Sequence, residues 1–362
     1  MRFFHFILLA TFLLFSCSEK NDKSKLSNDR NIAEYATNLR ILEGTLSTKI
    51  EILSPETGKV EQTWWISKDK SEKANHIQSP CTKMVTLSST HVGMLEKLQA
   101  IPSIVGITNE LYVYNPKLKK RIHAKKVIEV GEEGQIPAET ILKSGCKLIV
   151  YSGFGKEFPH VEQLKKAGVQ AIVNYDWREI HPLGKAEWIL LFGYLTGKEQ
   201  EAKGYFNAVK KEYLALKNEA KSFESTPTVL SGNLVGDTWF APAGESFNAK
   251  LIADANTNYV YGSSKGTGSL ALSLERVLTD NVQTDFWINP GMPTKKQLFG
   301  FQERLKLLGP VNKNPIYDYS KSGNRYWEMS AIEPQKVLSD YIQIFHTNEV
   351  KAKPLYFYQR VK

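Results

Sequence analysis

The chain has 362 residues, of which 42% are hydrophobic, and its formal net charge is +9. This length predicts about two domains, and the composition is normal for a soluble globular protein. The basic residues are scattered, with short clusters at 117–121 and 125–126. An arginine-rich arm, a helix-turn-helix and a zinc-binding spacing are all missing, which argues against nucleic-acid binding. The surplus of positive charge fits a surface that attracts anionic ligands or lipid headgroups.

The first residues have the pattern of a secretion signal. Arg2 precedes an apolar run over residues 3–15, which is too short to span a bilayer comfortably. The run Leu14-Phe15-Ser16-Cys17 resembles the bacterial lipoprotein signal, in which the cysteine is lipidated and becomes the new N-terminus. We therefore expect residues 1–16 to be a signal peptide and Cys17 to carry a lipid, with ordinary signal-peptidase cleavage as the alternative. The anchor would hold the protein on the periplasmic side of a bacterial membrane.

The next segment, residues 17–80, is expected to be a tether and a β-hairpin extension. Residues 18–30 are polar, which predicts a flexible tether. Residues 38–67 alternate apolar and polar positions around a turn at 54–58, which predicts a hairpin before the main fold. Residues 68–80 are expected to be a polar linker.

Residues 81–197 alternate short apolar runs with amphipathic stretches, which predicts βαβ units and a mainly parallel sheet. Strands are expected at 84–88, 104–107, 127–130, 147–151 and 171–173. Helices are expected after Thr90, at 137–143, after Gly155 and at 185–195.

One long helix is predicted over residues 198–223. Apolar residues recur there at steps of four and three, no proline interrupts the run, and Lys and Glu fill the remaining positions. We interpret this helix as a rigid connection between two lobes, because similar α/β segments lie on both sides. The alternative is an ordinary long surface helix within one domain.

Residues 224–362 repeat the alternation and predict a second lobe of the same type. Strands are expected at 228–230, around 239–240, at 286–288 and at 316–319. Helices are expected at 247–253, 274–278, 295–308 and 334–346.

Two cysteines, Cys81 and Cys146, each come just before a predicted strand. If these strands are neighbours in a parallel sheet, the two thiols lie at the same end of it. A disulfide is then possible in an oxidising compartment, and two independent buried thiols are equally compatible with the spacing.

The two lobes contain a similar short pattern. PAETIL is followed by the apolar run KLIVY in the first lobe, and LERVL is followed by DFWIN in the second. In each copy an acidic residue, Glu139 or Glu275, precedes an apolar pair on a predicted short helix. Two equivalent surfaces with one carboxylate each would follow.

The ordered set MVTLS, VGIT, PAETIL before KLIVY, the long helix and LSLERVL before DFWINPG resembles the periplasmic substrate-binding proteins of ABC importers for ferric siderophores, haem and cobalamin. The stretches HPLGKAEW (residues 181–188) and GDTWFAPAGESFNAKLIADANTNYVY (residues 236–261) are similar to the lipoprotein branch of that family. The resemblance implies an α/β fold of two Rossmann-like lobes with mainly parallel sheets joined by one long helix. It also implies that the transmembrane subunits of an ABC permease are the partner and that Glu139 and Glu275 dock onto its arginines.

A ligand of such a protein should lie between the lobes, in loops at the carboxyl ends of the strands. Aromatic side chains there suit a large, flat ligand, and arginines suit its carboxylate or phosphate groups. His91 could ligate haem or a metal, although such a residue also caps helices. The candidate ligand contacts are His91, Tyr112, Tyr114, Glu132, Phe154, Trp177, Arg178, Trp239, Phe240, Arg325, Tyr326 and Trp327.

The transported ligand is expected to be a ferric siderophore or haem, with cobalamin as the alternative, and the protein needs no resident cofactor. The six histidines that follow the signal are dispersed, which argues against a direct zinc or manganese site. The G-x-S-x-G and phosphate-loop motifs are missing, so we expect no enzyme activity. An exported hydrolase is the alternative from a different functional class.

Overall fold

A computed structural model describes residues 30–71, 75–154, 158–319 and 325–362. The predicted signal peptide, Cys17 and most of the predicted tether lie outside the described residues. Among the described residues, no helix has both the length and the apolar character needed to cross a membrane.

The N-terminal sheet is larger than the predicted hairpin. Its strands are β1 (Leu39–Glu43), β2 (Thr48–Leu53), β3 (Val60–Ser67) and β4 (His76–Gln78), paired in that order. The first three strands are antiparallel, and β4 lies parallel to β3. The predicted linker at 68–80 therefore contains a strand. A three-residue strand is too short to show a periodic pattern, and its position depends on the free edge of β3.

The first lobe is built on a five-stranded parallel sheet with the order β7-β6-β5-β8-β9. The predicted helix at 185–195 is two helices in the structure, which meet at the buried Trp188. Helix α2 was not predicted. The elements are β5 (Met84–Thr86), α1 (Ser89–Lys97), β6 (Ile104–Ile107), α2 (Pro116–His123), β7 (Ile128–Glu129), α3 (Ala138–Lys143), β8 (Leu148–Tyr151), α4 (Val161–Lys166), β9 (Gln170–Val173), α5 (Pro182–Glu187) and α6 (Ile189–Thr196).

The predicted long helix is confirmed as α7 (Glu199–Ala220), which has 22 residues and is about 33 Å long. Its apolar stripe is buried at Ala202, Phe206, Val209 and Tyr213. Because these positions recur at the helical period, one face packs against α6 and the last helix of the chain while the charged residues face outward.

The second lobe contains a five-stranded sheet of order β13-β10-β15-β16-β17, parallel except for its last strand, and a small antiparallel sheet of order β11-β12-β14. The elements are β10 (Thr228–Ser231), β11 (Asn233–Val235), β12 (Thr238–Pro242), α8 (Phe247–Asp254), β13 (Asn258–Tyr259), β14 (Ser269–Ser273), α9 (Leu274–Asp280), β15 (Phe286–Ile288), α10 (Lys295–Phe301), α11 (Gly309–Lys313), β16 (Tyr317–Asp318), α12 (Tyr326–Met329), α13 (Pro334–Phe345) and β17 (Gln359–Arg360).

The prediction of one helix over 295–308 is wrong. Helix α10 ends at Phe301, because Gln302 has extended backbone angles (φ −149°, ψ 106°). The Gln302 side chain then accepts the N–H of Arg304 and begins a 3-10 turn over Glu303–Leu307. The Gln302 side chain thus divides residues 295–308 into a helix and a 3-10 turn, although apolar residues recur at the helical period throughout this segment.

Helix α7 is held by polar contacts near both of its ends. Towards its N-terminus, Lys203 lies 2.6 Å from Glu43 of the N-terminal sheet. Towards its C-terminus, the Tyr213 hydroxyl donates to Asp254 of α8 at 2.7 Å, and Lys217 pairs with the same carboxylate at 2.9 Å. The helix therefore fixes the second lobe relative to the N-terminal sheet.

The N-terminal segment is attached to the first lobe by two buried carboxylates. Glu187 of α5 accepts the backbone N–H groups of residues 34, 35 and 36 at 2.7–2.8 Å. Glu179 accepts the N–H and the hydroxyl of Thr37 and the N–H of Asn38. Charge-assisted bonds to several donors stabilise buried carboxylates, so the extension is an integral part of this lobe.

Candidate functional site

Segments that follow the strands of the two large sheets contact each other at two places. Backbone N–H groups of Tyr114 and Asn115, after β6, donate to Oε1 of Glu328 in α12, both at 2.7 Å. At the second place, Nζ of Lys185 in α5 lies 4.1 Å from the centre of the Phe247 ring in α8. The carboxyl ends of the strands in both lobes thus border a common junction, where ligands of α/β folds bind.

An aromatic corner, formed by Phe154, Trp177 and Arg178, lies on the first lobe. The rings of Phe154 and Trp177 are 5.2 Å apart, and the Arg178 guanidinium is 5.2 Å from the centre of the Trp177 ring. Trp177 donates its indole N–H to the carbonyl of Ser152 at 2.8 Å. Phe154 is 64% exposed. Three of the predicted contacts therefore lie together, as two aromatic rings tilted by 41° and a neighbouring cation.

The side chain of Glu133 binds the backbone of the loop that carries Phe154. Its carboxylate accepts the N–H groups of Ser152 and Gly153, both at 2.8 Å. Burial raises the pKa of Glu133, although these backbone bonds act in the opposite direction. Gly153 has φ +61°, and a Cβ at this position would lie 2.5 Å from the side chain of Val173. Another residue would strain the loop.

The N-terminal sheet reaches this corner, which the sequence analysis did not anticipate. Glu56, in the turn between β2 and β3, pairs with Arg178 at 3.0 Å. Glu61 accepts the hydroxyl proton of Tyr175, with both oxygens 3.0 Å away. These residues are more than 100 positions apart along the chain, so no local pattern connects them. The carboxylate of Glu56 therefore neutralises part of the positive charge of Arg178.

The second lobe presents a group of aromatic rings at α12. Tyr326 stacks on Tyr319 with ring centres 3.9 Å apart, and the Trp327 ring lies edge-on to both. Tyr326 is buried, so the structure corrects its assignment as a ligand contact: it packs beneath Trp327, which is 52% exposed. Phe240 on β12 is also exposed.

Two further assignments need correction because the side chains lie in the core. His91 is completely buried, and its ring packs 5.4 Å from that of Phe192. Trp239 is completely buried against Trp287, with ring centres 5.4 Å apart. Neither side chain reaches a ligand at the surface. Both ring nitrogens of His91 are buried without a hydrogen-bond partner within the described parts of the chain.

Replacing His91 by leucine should reduce the loss of stability at acidic pH. Burial lowers the pKa of His91 to about 3, whereas an unperturbed histidine titrates near 6.5. The unfolded chain therefore takes up a proton first as the pH falls, and His91 favours unfolding below about pH 6.5. The variant should retain about 2 kcal/mol more of its unfolding free energy between pH 7.5 and 5 than the parent protein.

Urea titrations at the two pH values measure this difference. His160→Gln is the control, because His160 is exposed. Equal losses of stability in the parent protein and in His91→Leu would show that His91 does not contribute.

Arg325 is less suited to bind an anion than Arg178. Its guanidinium is paired with two carboxylates, those of Glu96 and Glu328, whereas Arg178 is paired with Glu56 alone. Tyr112 and Glu132 are exposed, whereas Tyr114 is half-buried. These three residues follow β6 and β7 and lie on the same side of the first sheet as the aromatic corner.

A cavity of about 630 Å³ lies between Ile180 and His181, which follow β9 in the first lobe, and residues in and around α8 and β13 of the second lobe. This volume lies within the usual range for small-molecule sites. None of its residues was predicted to be a ligand contact. Most of its wall nevertheless comes from the stretch 236–261, and HPLGKAEW contributes His181, so both stretches that resemble the lipoprotein branch reach it. The lining residues are Ile180, His181, Gly244, Glu245, Ser246, Ala249, Lys250, Ala253, Thr257, Asn258, Tyr259, Val260, Gly262 and Ser263.

His181 offers the cavity a hydrogen-bond donor. Its Nδ1 accepts the backbone N–H of Leu183 at 3.0 Å, which caps α5. Burial and the nearby charges of Lys250 and Lys217 lower the pKa of His181 to about 4, against the opposing effect of Asp254. The ring is therefore neutral at pH 7 and carries its proton on Nε2.

Glu139 and Glu275 occupy equivalent positions in the two lobes. Each is exposed in the first turn of a short helix, α3 or α9. Helix α3 leads into β8, which pairs with β5, and α9 leads into β15, which pairs with β10. In both lobes the partner strand is the first strand of the sheet along the chain. Glu275 pairs with Arg304 at 2.8 Å, and this hydrogen bond lowers the pKa of Glu275. The short similar patterns in the sequence thus correspond to the same structural place.

The strands after Cys81 and Cys146 are neighbours, as the sequence analysis required for a disulfide. Both thiols are free and buried in the structure, and burial raises the pKa of Cys81 to about 11. A protonated, buried thiol is unreactive. The described residues contain no group of three or more His, Cys, Asp or Glu side chains that could hold a metal ion.

The periplasmic binding protein family model matches residues 84–309. The chain belongs to the periplasmic binding protein family. A lipoprotein of Methanocaldococcus jannaschii, itself uncharacterized, is 23% identical over 313 residues, which cover 81% of this chain and 72% of that protein.

Solved structures of periplasmic binding proteins share the fold. A haem-binding protein from Pseudomonas aeruginosa has a TM-score of 0.59 and 15% identity, covering 78% of this chain and 98% of its own. The vitamin B12 binding protein of Vibrio cholerae has a TM-score of 0.57 and 11% identity, covering 75% and 99%. A periplasmic binding protein from Veillonella parvula has a TM-score of 0.61 and 13% identity, covering 82% and 97%. The predicted fold of two α/β lobes joined by a long helix is confirmed.

Proposed function

We propose that this periplasmic binding protein is the lipid-anchored receptor of an ABC importer, tethered through Cys17, which captures a ferric siderophore or a haem-type iron complex between its lobes. The observation that supports this most directly is the cavity of about 630 Å³ that residues of both lobes line, together with the aromatic corner on the first lobe, in the segments after β8 and β9. Aromatic surface of this kind binds large planar ligands with little loss of side-chain entropy.

The ligand would enter as a complete complex. Trp177 and Phe154 would contact its apolar face, and Trp327 and Phe240 would contact it from the second lobe. Arg178 would pair with its carboxylate or phosphate groups, since guanidinium groups bind these anions in two-point geometry. We retain Tyr112, Tyr114, Glu132, Phe154, Trp177, Arg178, Phe240 and Trp327 as proposed contacts and add His181 and Lys250.

The organisation proposed for the chain follows from the same function. Residues 81–197 would form the first lobe, 198–223 the connecting helix and 224–362 the second lobe. Glu139 and Glu275 would dock onto arginines of the permease, because exposed and separated carboxylates can steer and orient a transient complex. Residues 1–16 would be removed as the signal peptide.

Cobalamin is the second candidate ligand, because a flat macrocycle with polar side chains has the same requirements and the fold is shared with a vitamin B12 binding protein. The hydrolase alternative is disfavoured at the family level, because the matching family is one of binding proteins. Chemical analysis of the ligand after release distinguishes the two classes, because a binding protein releases its ligand unchanged and a hydrolase releases a cleaved product.

Replacing Trp177 by alanine should weaken binding of the true ligand by roughly 10- to 100-fold, since buried aromatic contacts contribute on the order of 1.5–3 kcal/mol. Titration of the intact protein with haem, cobalamin and ferric chelates, followed by tryptophan quenching and calorimetry, measures this loss and identifies the ligand.

Tyr356→Ala is the matched control, because Tyr356 also has a cation, Lys336, 5.2 Å from its ring centre and is not a proposed ligand contact. It should bind as tightly as the parent protein. Binding of none of these ligands, together with measurable hydrolysis of ester or peptide substrates, would overturn the proposal.

A further inference from the structure

A basic patch, which we define as Lys117, Lys119, Lys120, Arg121, Lys125 and Lys126, covers α2 and the turn after it. These ten positions of the chain contain no acidic residue. In the parts of the chain that the structure describes, none of the five lysines has an ion-pair partner. The patch is therefore a concentrated and uncompensated positive charge.

Part of the patch lines a groove of about 460 Å³. Lys117, Lys120 and Arg121 stand on one helical face, because positions three and four apart are neighbours on a helix. Ile101 and Pro102 provide an apolar side of the groove. Arg121 donates from Nη2 to the carbonyl of Ile104 at 2.8 Å, while its Nε is buried without a partner among the described residues.

One carboxylate, that of Glu96, also lines the groove. It does not neutralise the lysines, because it is already bound by the guanidinium of Arg325 and by the side-chain amide of Asn115. Burial acts against ionisation, but the hydrogen bond from Arg325 holds the pKa of Glu96 below its ordinary value. The remaining polar side chain of the groove is the neutral Gln99.

An exposed apolar side chain lies next to the patch. Leu111 is 78% exposed, in a 3-10 turn over Glu110–Tyr112. Glu110 bonds to His123 at the end of α2, with 2.7 Å between the two side chains, which keeps this turn beside the helix. Lysines around an exposed leucine are typical of surfaces that contact the interface of an anionic membrane.

We propose that the basic patch binds anionic phospholipid headgroups, with one headgroup phosphate in the groove and Leu111 in the interface. The charges extend beyond the groove to Lys119, Lys125 and Lys126, which a small anion in the groove would leave unpaired. A bilayer presents many phosphates at once and matches this spread. None of the residues that line the groove is a proposed ligand contact, although Leu111 lies beside Tyr112 in the chain. The inference therefore goes beyond the proposed function and does not depend on it.

The test titrates the intact protein with vesicles of phosphatidylcholine alone and with vesicles containing 30% phosphatidylglycerol, at about 0.1 M salt. The patch variant carries Lys117→Gln, Lys119→Gln, Lys120→Gln and Lys126→Gln. The control variant removes the same charge elsewhere through Lys221→Gln, Lys296→Gln, Lys351→Gln and Lys353→Gln, all exposed positions. Any contribution of the first 29 residues is common to all three proteins.

We expect the parent and control proteins to prefer the anionic vesicles and the patch variant to bind them on the order of 100-fold more weakly. Leu111→Ser should weaken binding to the anionic vesicles by several-fold, and this loss should not change with salt concentration, because it removes an apolar contact and no charge. Equal losses in the patch and control variants would overturn the proposal. So would competition by millimolar inorganic phosphate at constant ionic strength, which would identify a small-anion site instead.

Discussion

Replacing both Glu139 and Glu275 by lysine should abolish ligand uptake in cells while leaving the affinity of the purified protein for its ligand unchanged. Each substitution would place a lysine against the permease arginine that the carboxylate is proposed to contact. Like-charge contacts at an interface cost several kcal/mol. The two residues stand at equivalent places on α3 and α9, so the double variant would lose both of its docking contacts.

The control for this experiment is Glu162→Lys with Glu34→Lys. Glu162 is an exposed acid in the first turn of α4, as Glu139 is in α3, and Glu34 is ion-paired with Lys210 as Glu275 is with Arg304. The control should transport normally. Loss of ligand affinity in the Glu139/Glu275 variant would mean that these acids support the binding site, and normal uptake would exclude the docking role.

Replacing Glu187 by alanine should lower the free energy of unfolding by about 3–5 kcal/mol. The change would leave the three N–H groups of residues 34–36 without their acceptor, and an unsatisfied buried donor costs about 1–3 kcal/mol. It would also leave a cavity beneath the N-terminal segment. Urea unfolding monitored by circular dichroism measures the loss.

Glu349→Ala is the matched control, because this exposed carboxylate also accepts backbone N–H groups, those of Glu224 and Ser225. Water can replace an exposed acceptor, so the control should lose less than about 1 kcal/mol. If both variants lost the same small amount, the N-terminal segment would be stabilised by its sheet contacts and not by Glu187.

The fold was predictable where a local pattern determines burial. The buried stripe of α7 at Ala202, Phe206, Val209 and Tyr213 follows directly from the helical period. The run KLIVY is apolar at almost every position because β8 is covered on both faces. Strand β4 was missed because three residues are too short to show a period. The helix after Lys295 was predicted too long, because the apolar period continues across the Gln302 cap.

The site was less predictable, because residue type does not distinguish a ligand contact from a core residue. Trp177 and Trp239 both lie at or near the ends of strands, yet Trp239 is completely buried while Trp177 is only partly covered. Whether a side chain is available to a ligand depends on contacts between distant parts of the chain. Arg178 forms an ion pair with Glu56, and Arg325 forms one with Glu96. The cavity at His181 combines segments from two lobes. Resemblance to the family marked these segments, but it did not show which of their residues line a common space.

The attachment of α7 to Glu43 at one end and to Asp254 at the other affects how the empty and the loaded protein would compete for the permease. A helix fastened in this way resists bending, so the spacing between the two proposed docking acids would hardly differ between the empty and the loaded protein. The permease would then meet the same pair of acids in both cases. Empty protein would occupy the permease as readily as loaded protein, and an excess of empty receptor would slow import by competition.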